Sequence, residues 1–416
     1  MLSKQDNERL TRVGPGTPMG ELFRRYWQPV ALTDTVARPD GPPVRVRILG
    51  EDLVLFRATD GRFGLVAERC PHRTASMYWG RNEENGLRCV YHGLKFDVDG
   101  NCVDAPCVTT TSAAQLAAIQ RQLRIRAYPC IERADLVWTY MGPPELKPAF
   151  PELEWTLVPK THRLTTRHIQ ECNWLQGVEG GFDAAHLTFL HKWETSHSSR
   201  SVVPSLYEIQ QTDFGFYTAT GRELDGGQVY WNTNAFLMPG HKIISATSPA
   251  AHIWMPIDDE NTMLYSTEFK LDEPLGEKDF ERVRGGRWIH SENIPGTDKA
   301  VRNKANDYLA DREAQSAGKS YTGLVGLGIQ DCAVQESMGP IADRSQEFLL
   351  PCDIEIVKIR RLFQQALDDM AAGKQPPGMN AASYRVRMHR WWAGKGDDVV
   401  QMMAERMHGE LPAAAE

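Results

Sequence analysis

A chain of 416 residues with 41% hydrophobic and 24% charged residues has apolar material for a large core and length for more than one domain. Its formal net charge of −7 is spread along the sequence, and no basic run invites nucleic acid or an anionic lipid surface. Eight cysteines in a chain that opens on the polar stretch Met1-Leu2-Ser3-Lys4-Gln5-Asp6-Asn7-Glu8 argue against a secreted disulfide scaffold and for the cytoplasm; no uninterrupted run of about 18 apolar residues predicts a membrane span.

Gly14-Pro15-Gly16-Thr17-Pro18 predicts a turn, and Met19 to Trp27 then carries helical spacing, with Thr17 as its cap and Pro18 in its first position. Residues 1–27 read as a helical lead-in. From Val44 to Cys130 short alternating runs take over. Val44-Arg45-Val46-Arg47-Ile48-Leu49, Leu53-Val54-Leu55-Phe56 and Phe63-Gly64-Leu65-Val66 are strand-like, and Thr59-Asp60-Gly61-Arg62 is a hairpin signal. Lys95-Phe96-Asp97-Val98-Asp99-Gly100-Asn101 repeats the strand-then-turn pattern. These runs predict a small antiparallel β domain over residues 28–142. The polar stretch Thr109 to Arg124 reads as a loop or short helix, and Pro143-Pro144-Glu145-Leu146-Lys147-Pro148 as a linker. Residues 143–416 mix the two periods. Glu171 to His191, Asp353 to Ala371 and Asp397 to Met407 are helical, whereas Gln228-Val229-Tyr230-Trp231, Lys242-Ile243-Ile244-Ser245 and Met263-Leu264-Tyr265-Ser266 are strand-like. Strands flanked by long helices predict an α+β domain.

Two constellations carry chemistry. Cys70-Pro71-His72 is followed, after sixteen residues, by Cys89-Val90-Tyr91-His92. Two thiolates and two imidazoles make a full ligand set, either for a structural Cys₂His₂ zinc or for a [2Fe–2S] centre with cysteines on one iron and histidines on the other. Each loop supplies one Cys and one His between strand-like runs, which suits the two-iron centre; buried thiols beside surface histidines are the plain alternative. In the second constellation Asp183 and His186 share a helix face at i, i+3. His186 and His191, at i, i+5, point about 140° apart on an ideal helix. Both reach one metal only if the helix widens or ends between them, and Gly180-Gly181 point to a segment that is not an ideal helix. A core helix with two incidental histidines is the alternative. Far downstream, Asp331 reads by itself as a helix-start acid favoured by the dipole. Asp343 reads as a structural partner of Arg344 or Arg361.

Cys70-Pro71-His72-Arg73 and Cys89-Val90-Tyr91-His92-Gly93 resemble the C-P-H-R and C-x-Y-H-G loops of Rieske non-haem iron oxygenase α subunits. Asp183, His186 and His191 resemble that family's D-x-x-H-x-x-x-x-H iron motif, in the family's order. One departure is Leu94, where the family commonly has Trp. The resemblance is to the phthalate-dioxygenase-like branch of aromatic-acid oxygenases and aryl-ether demethylases. It implies an N-terminal antiparallel β Rieske domain followed by a helix-grip (START/Bet v 1-like) catalytic domain. Cys70 and Cys89 then hold one iron of a [2Fe–2S] cluster and His72 and His92 the other, while His186, His191 and a downstream carboxylate, Asp331 with Glu336 as the alternative, hold Fe(II). Asp183 becomes an electron relay between His186 and the Rieske histidine, here His92, of a neighbouring subunit, which implies a head-to-tail homotrimer. The expected partners are an NADH-dependent reductase, a small aromatic substrate and O₂; the expected reaction is hydroxylation or dihydroxylation, with O- or N-demethylation as the alternative. Outside this class stands a zinc-stabilised, non-catalytic binding protein. No G-x-G-x-x-G follows a strand, since Gly323, Gly326 and Gly328 are wrongly spaced, so nicotinamide is expected on the reductase. Phthalate enzymes carry a Ser after the bridging acid and two pocket arginines. Ala184 stands in the first place, and neither Ser205-Leu206-Tyr207 nor Tyr230-Trp231-Asn232-Thr233 offers an Arg, so a larger or less charged substrate is expected. Trp231 and Phe236 read either as pocket wall or as core.

Overall fold

The alternating runs of the first third pair as three small antiparallel sheets in a computed structural model that describes residues 2–109, 112–192, 202–224, 226–246 and 249–407. One sheet joins Trp27–Leu32, Leu136–Tyr140 and Cys130–Arg133. A second joins Val44–Ile48, Glu51–Arg57, Phe63–Ala67 and Ala127–Tyr128; a third joins Arg81–Glu83, Gly86–Arg88, Lys95–Phe96 and Cys102–Asp104. The second and third share a core of Val54, Phe56, Val66, Leu87, Leu94 and Phe96, with the thiols of Cys70 and Cys89 inside it. Full burial of each such aliphatic or aromatic side chain stabilises by about 1.5–3 kcal/mol. The polar stretch after Cys107 holds a helix, Ala113–Gln122, started by a capping box between Ser112 and Gln115.

This compact unit comprises residues 14–16 and 23–147, and a second is formed by the described residues of 1–13, 17–22 and 148 onward. The first lead-in helix, Lys4–Thr11, is capped by Ser3 and buries Asn7, Leu10 and Thr11 against helices Trp174–Phe182 and Ile354–Ala371. Thr17 Oγ1 accepts from Gly20 N–H at 3.2 Å, and helix Pro18–Arg24 stops short of Trp27, which opens a strand.

The second unit is built on an antiparallel sheet of eight strands. Its order is Arg163–Gln170, Thr262–Phe269, Ala250–Pro256, His241–Ile244, Gln228–Leu237, Gly215–Glu223 and Leu206–Gln211, and Arg390–Gly394 pairs alongside Gln228–Leu237. Helix Trp174–Phe182 packs on strand Ala250–Pro256 and touches helices Leu327–Ser337 and Ile354–Ala371. Gly177 and Gly181 allow this approach: a Cβ on either would lie 2.3 Å and 2.4 Å from the Trp254 ring, and one on Gly180 would lie 2.1 Å from Gln335 Nε2. The paired glycines therefore sit within a regular helix and serve packing, not distortion.

A buried ion cluster ties the helices together. Glu179 accepts from Arg344 (2.8 Å to Nη2) and Arg360 (2.7 Å to Nε), and Arg344 also donates to Asn7 Oδ1 at 3.1 Å. Burial alone would raise Glu179, but the two guanidinium groups hold its carboxyl below the usual range.

Candidate metal centres

The two Cys-His loops are near copies of one backbone device. Cys70 N–H donates to Ala75 O at 2.9 Å and Thr74 N–H returns to Cys70 O at 2.9 Å; Cys89 N–H donates to Leu94 O at 2.8 Å and Gly93 N–H returns to Cys89 O at 2.9 Å. Both loops turn through the left-handed region, at Thr74 (φ 56°) and Gly93 (φ 77°). The effect is to point both thiols into the core and both imidazoles outward. Cys70 and Cys89 are buried, His72 is exposed, and the two rings lie 4.5 Å apart between centroids. Burial pushes the Cys70 thiol up to about 11, so bare thiolates are disfavoured there, and a metal's charge suits the pair. Leu94 is buried beneath the second loop and replaces no donor.

The second site depends on where a helix ends. The expected helix from Glu171 to His191 stops at Phe182, before His186 and not between the two histidines. Asp183 stops it. Its N–H makes the last helical bond, to Glu179 O at 3.0 Å, while its Oδ1 accepts from the N–H groups of Ala185 (2.8 Å) and His186 (3.2 Å). A carboxylate that satisfies its own neighbours' backbone competes with helix continuation. The 3₁₀ turn His186–Thr188 follows, and the ideal-helix angle no longer applies.

The result brings His186, His191 and Asp331 together. The two Nε2 atoms are 3.2 Å apart, and each lies 3.4 Å (His186) or 3.3 Å (His191) from Asp331 Oδ1. An ion at about 2.1 Å from imidazole nitrogens fits such a triangle. Asp331 Oδ1 is buried and lacks a well-formed hydrogen bond among the described residues. Burial works to raise this carboxyl, but the two imidazoles, His191 first, hold it low. The Nδ1 atoms are engaged elsewhere: His191 with Gln330 Oε1 at 2.7 Å, His186 facing Asp183 Oδ2 at 3.7 Å. Gln330 is oriented by its own amide, which donates to Thr322 Oγ1 and Leu324 O. Acceptors at Nδ1 keep the proton there and leave the Nε2 lone pairs for a metal. Asp331 lies in the second turn of helix Leu327–Ser337, whose first turn holds no acid, so the dipole reading does not apply.

These three residues stand at a cavity with about 960 Å³ of atom-free space. One wall is the end of helix Trp174–Phe182, another is helix Leu327–Ser337, and the sheet contributes Asn232, Asn234, Lys242, His252 and Trp254. Trp288 lines it from a left-handed backbone (φ 61°), and its carbonyl accepts Gly328 N–H at 3.1 Å near the start of helix Leu327–Ser337.

Residues 26–129 match the Rieske [2Fe-2S] domain family, and residues 139–393 match the family described as LigXa C-terminal domain like. Over 406 residues the chain is 37% identical to the 3-chlorobenzoate-3,4-dioxygenase oxygenase subunit of Comamonas testosteroni, covering 92% of this chain and 93% of that one. It is 36% identical over 418 residues to the phthalate 4,5-dioxygenase oxygenase subunit of Pseudomonas putida, covering 96% and 94%. The chain belongs to the Rieske non-haem iron oxygenases. The fold of this oxygenase subunit is similar to that of dicamba monooxygenase bound to 3,6-dichlorosalicylic acid, with a TM-score of 0.60, 20% identity and coverage of 85% and 99%. The oxygenase uses a [2Fe–2S] cluster and Fe(II), a separate electron-transfer reductase, an aromatic substrate and O₂, which sets aside the structural-zinc and non-catalytic readings. No helix among its described residues is long and apolar enough to cross a membrane.

The expected pairing of Asp343 needs correction. Asp343 does not pair with Arg344, which is held by Glu179; it caps its own turn by accepting from Ser345 and Gln346. Trp231 and Phe236 are core: neither lines the cavity, and Phe236 packs between Phe216 and Phe363. Glu336 is engaged away from the triad, accepting from Tyr308 OH at 2.6 Å and Glu171 N–H at 3.1 Å. The sequence reading also missed Gln330 and Lys242. Gln330 adjoins Asp331 and was within reach of a search for a histidine's partner; Lys242 carries no motif.

Proposed function

We propose that this oxygenase hydroxylates a benzoate-class substrate, an aromatic ring bearing a carboxylate, and that Lys242 is its anchor. The observation that carries the reading is a cation in the cavity wall beside Asn232, Asn234 and Ser245. The search for an arginine on neighbouring strands pointed to a less charged substrate; the cation stands one strand further along the sheet. The Lys242 ammonium donates to Gly181 O and lies 5.1 Å from the centre of the Phe182 ring, at the cavity wall. Behind it, Arg390 donates to Asn232 Oδ1 at 3.0 Å, which turns that side chain's amide donors to other acceptors.

In this reading Cys70, Cys89, His72 and His92 hold the cluster, and His186, His191 and Asp331, not Glu336, hold the ferrous ion. The ion, when bound by three such ligands, keeps open positions at which O₂ is activated. Gln330 and Asp183 keep the imidazoles in the tautomer that binds metal, and the closely packed helix wall limits water. Asp183 has a second task, electron relay. Its side chain is 27% exposed, and a second imidazole can share its outer edge. That imidazole is His92 of a neighbouring copy, which makes the assembly a head-to-tail trimer. NADH supplies the reductase, and eight unpaired cysteines fit the reducing cytoplasm.

The test is O₂ consumption with a reductase supplied, comparing 3-chlorobenzoate with its neutral amide, followed by product analysis. A ring diol or phenol supports hydroxylation; formaldehyde from methoxy-substituted rings moves the protein to demethylation. Lys242→Met should raise KM for the carboxylate about 10- to 100-fold, the worth of one charge-assisted hydrogen bond, and leave the amide unaffected. Equal KM values for the carboxylate in both proteins would refute the anchor.

A further inference from the structure

We propose that a buried polar row on the inner face of the catalytic sheet, His252–Ser266–Thr166–His290–Glu268, conducts protons to the iron cavity. Three strands place the row. Thr166 is the register partner of Ser266, and Ser266 of His252. Their side chains share the face of Gln170, Leu264 and Trp254, which line the cavity, because strand side chains alternate with period two. Ser266 Oγ lies 3.1 Å from His252 Nδ1, and Thr166 Oγ1 lies 2.7 Å from His290 Nδ1. His290 Nε2 lies 3.6 Å from Glu268 Oε2. The other oxygen of Glu268 is held by Arg282, whose side chain is 33% exposed and connects the row to solvent.

Two further observations set this row apart from ordinary core. Ser266, His290 and Glu268 are all 0% exposed, where apolar side chains would pack at no polar cost, and a buried unmade hydrogen bond costs about 1–3 kcal/mol. Two such atoms, His290 Nε2 and Glu268 Oε2, face each other without a completed bond among the described residues. The backbone leading to His290 is also strained. Trp288, two residues earlier, is a bulky residue in the left-handed region, and that turn sets its indole in the cavity wall and buries the imidazole of His290.

Each hydroxyl and imidazole of the row both gives and takes a proton, and Glu268, a carboxylate held by Arg282, first accepts one and then passes it to His290. A hydroxyl rotates between donor and acceptor; a neutral imidazole accepts on one nitrogen and releases from the other. Burial, reinforced by Lys242, lowers His252 to about 3, which keeps it a neutral conductor. Thr166 and Ser266 face each other across paired strands, with Cβ atoms about 5 Å apart, and rotation of their hydroxyls closes that step. Insertion of one or both atoms of O₂ takes up two electrons, from the reductase, and two protons. Each proton released into the cavity at His252 is replaced at the Glu268 end, and no member of the row is oxidised or reduced. The inference rests on His186, His191 and Asp331 as the iron site beside that cavity.

The test uses the full chain with both iron centres filled, a reductase, and 3-chlorobenzoate. Thr166→Val and Ser266→Ala should each slow product formation in a single turnover about 10-fold or more, the low end of what a proton donor contributes. Both should divert O₂ to hydrogen peroxide and enlarge the solvent deuterium isotope effect. Thr166→Ser should restore all three readouts. Iron content and the rate of cluster reduction should match the parent protein. Independently of turnover, ¹⁵N-histidine NMR of the iron-free protein should show His290 and His252 each in one tautomer with a hydrogen-bonded ring proton, altered at His290 by Thr166→Val. Parent-like coupling and isotope effect in both variants overturns the row, as do ring signals averaged like those of solvent-exposed imidazoles. A parent protein inert toward 3-chlorobenzoate overturns the substrate reading instead, and the NMR then decides the row. Iron lost from a purified parent despite reconstitution overturns the iron-site reading on which it rests.

Discussion

The two metal sites are built by opposite rules. The Rieske loops are one local device used twice, with the same pair of backbone bonds around Cys70 and Cys89, and everything needed lies within six residues of each cysteine. The mononuclear site is assembled from far-apart segments. His191 and Gln330 meet across 139 positions of sequence, and the geometry holds only because a helix ends at Phe182 and a carboxylate caps the turn after it. Local repetition sets imidazoles at the surface; distributed assembly sets them on a cavity. A local device tolerates change elsewhere in the chain, whereas a distributed one depends on its whole scaffold.

The strongest attempt to break this comparison is to empty one site and keep the other. Asp331→Ala should lose the mononuclear iron and fall to background turnover, with about two of three irons per chain and the visible cluster spectrum retained. Metal analysis beside the absorption spectrum checks it, and loss of colour along with the iron would show the sites to be interdependent. Asp183→Asn should keep all the iron and still lower turnover about 100-fold, the upper range for a residue that orients a metal ligand. Stopped-flow reduction of the cluster should remain fast in that variant, which places the defect after the cluster.

Stability gives a finer cut. Glu179→Gln leaves two buried guanidinium groups without their anion, so the catalytic unit should lose about 3 kcal/mol, read as a drop in its denaturation midpoint. The pH dependence follows from the sign of the Glu179 shift. Its carboxyl is held below the ordinary glutamate value of about 4.3. The ion cluster's stabilisation is therefore complete above that value and is lost as pH falls through the lower folded value. Far-UV melting from pH 6 to pH 3 should show this acid loss in the parent and a weaker one in Glu179→Gln. The smallest effect separates the twin loops. Gly93→Ala should destabilise by about 1–2 kcal/mol, because φ is 77° and the new Cβ would lie 2.7 Å from Pro106. Thr74→Gly, at the matching place in the first loop, should be neutral or slightly stabilising, read as thermal loss of cluster absorbance.

The comparison also explains what the sequence disclosed. The Rieske loops and the hairpins around them are short-range patterns, so alternation and turn residues revealed them. Strand Thr262–Phe269 is buried along its whole length, which erases the period-two signal and leaves only an apolar run around Met263-Leu264-Tyr265-Ser266. His186 and His191 were legible as a pair, but their convergence was not, because helical periodicity continues smoothly past the point where Asp183 stops the helix. Asp331 was singled out through family resemblance, since nothing in its local sequence sets it apart from an ordinary helix acid. Lys242 and Gln330 were not found, because a lone cation on a strand and an amide beside an acid look ordinary until the tertiary structure turns them inward. Asp343 was misjudged for the same reason: its neighbour Arg344 pairs with Glu179, 165 residues away.

Gly177 and Gly181 let the Trp254 ring lie almost directly against helical backbone. Main chain cannot be trimmed, so no substitution at Gly177 or Gly181 enlarges the chamber, and any larger residue there forces the tryptophan out. Room for a bulkier guest comes instead from side chains of the sheet, such as Ile244, Leu264 or Asn234. Adaptation to new compounds in this enzyme should therefore accumulate in the strands and leave the glycine helix unchanged.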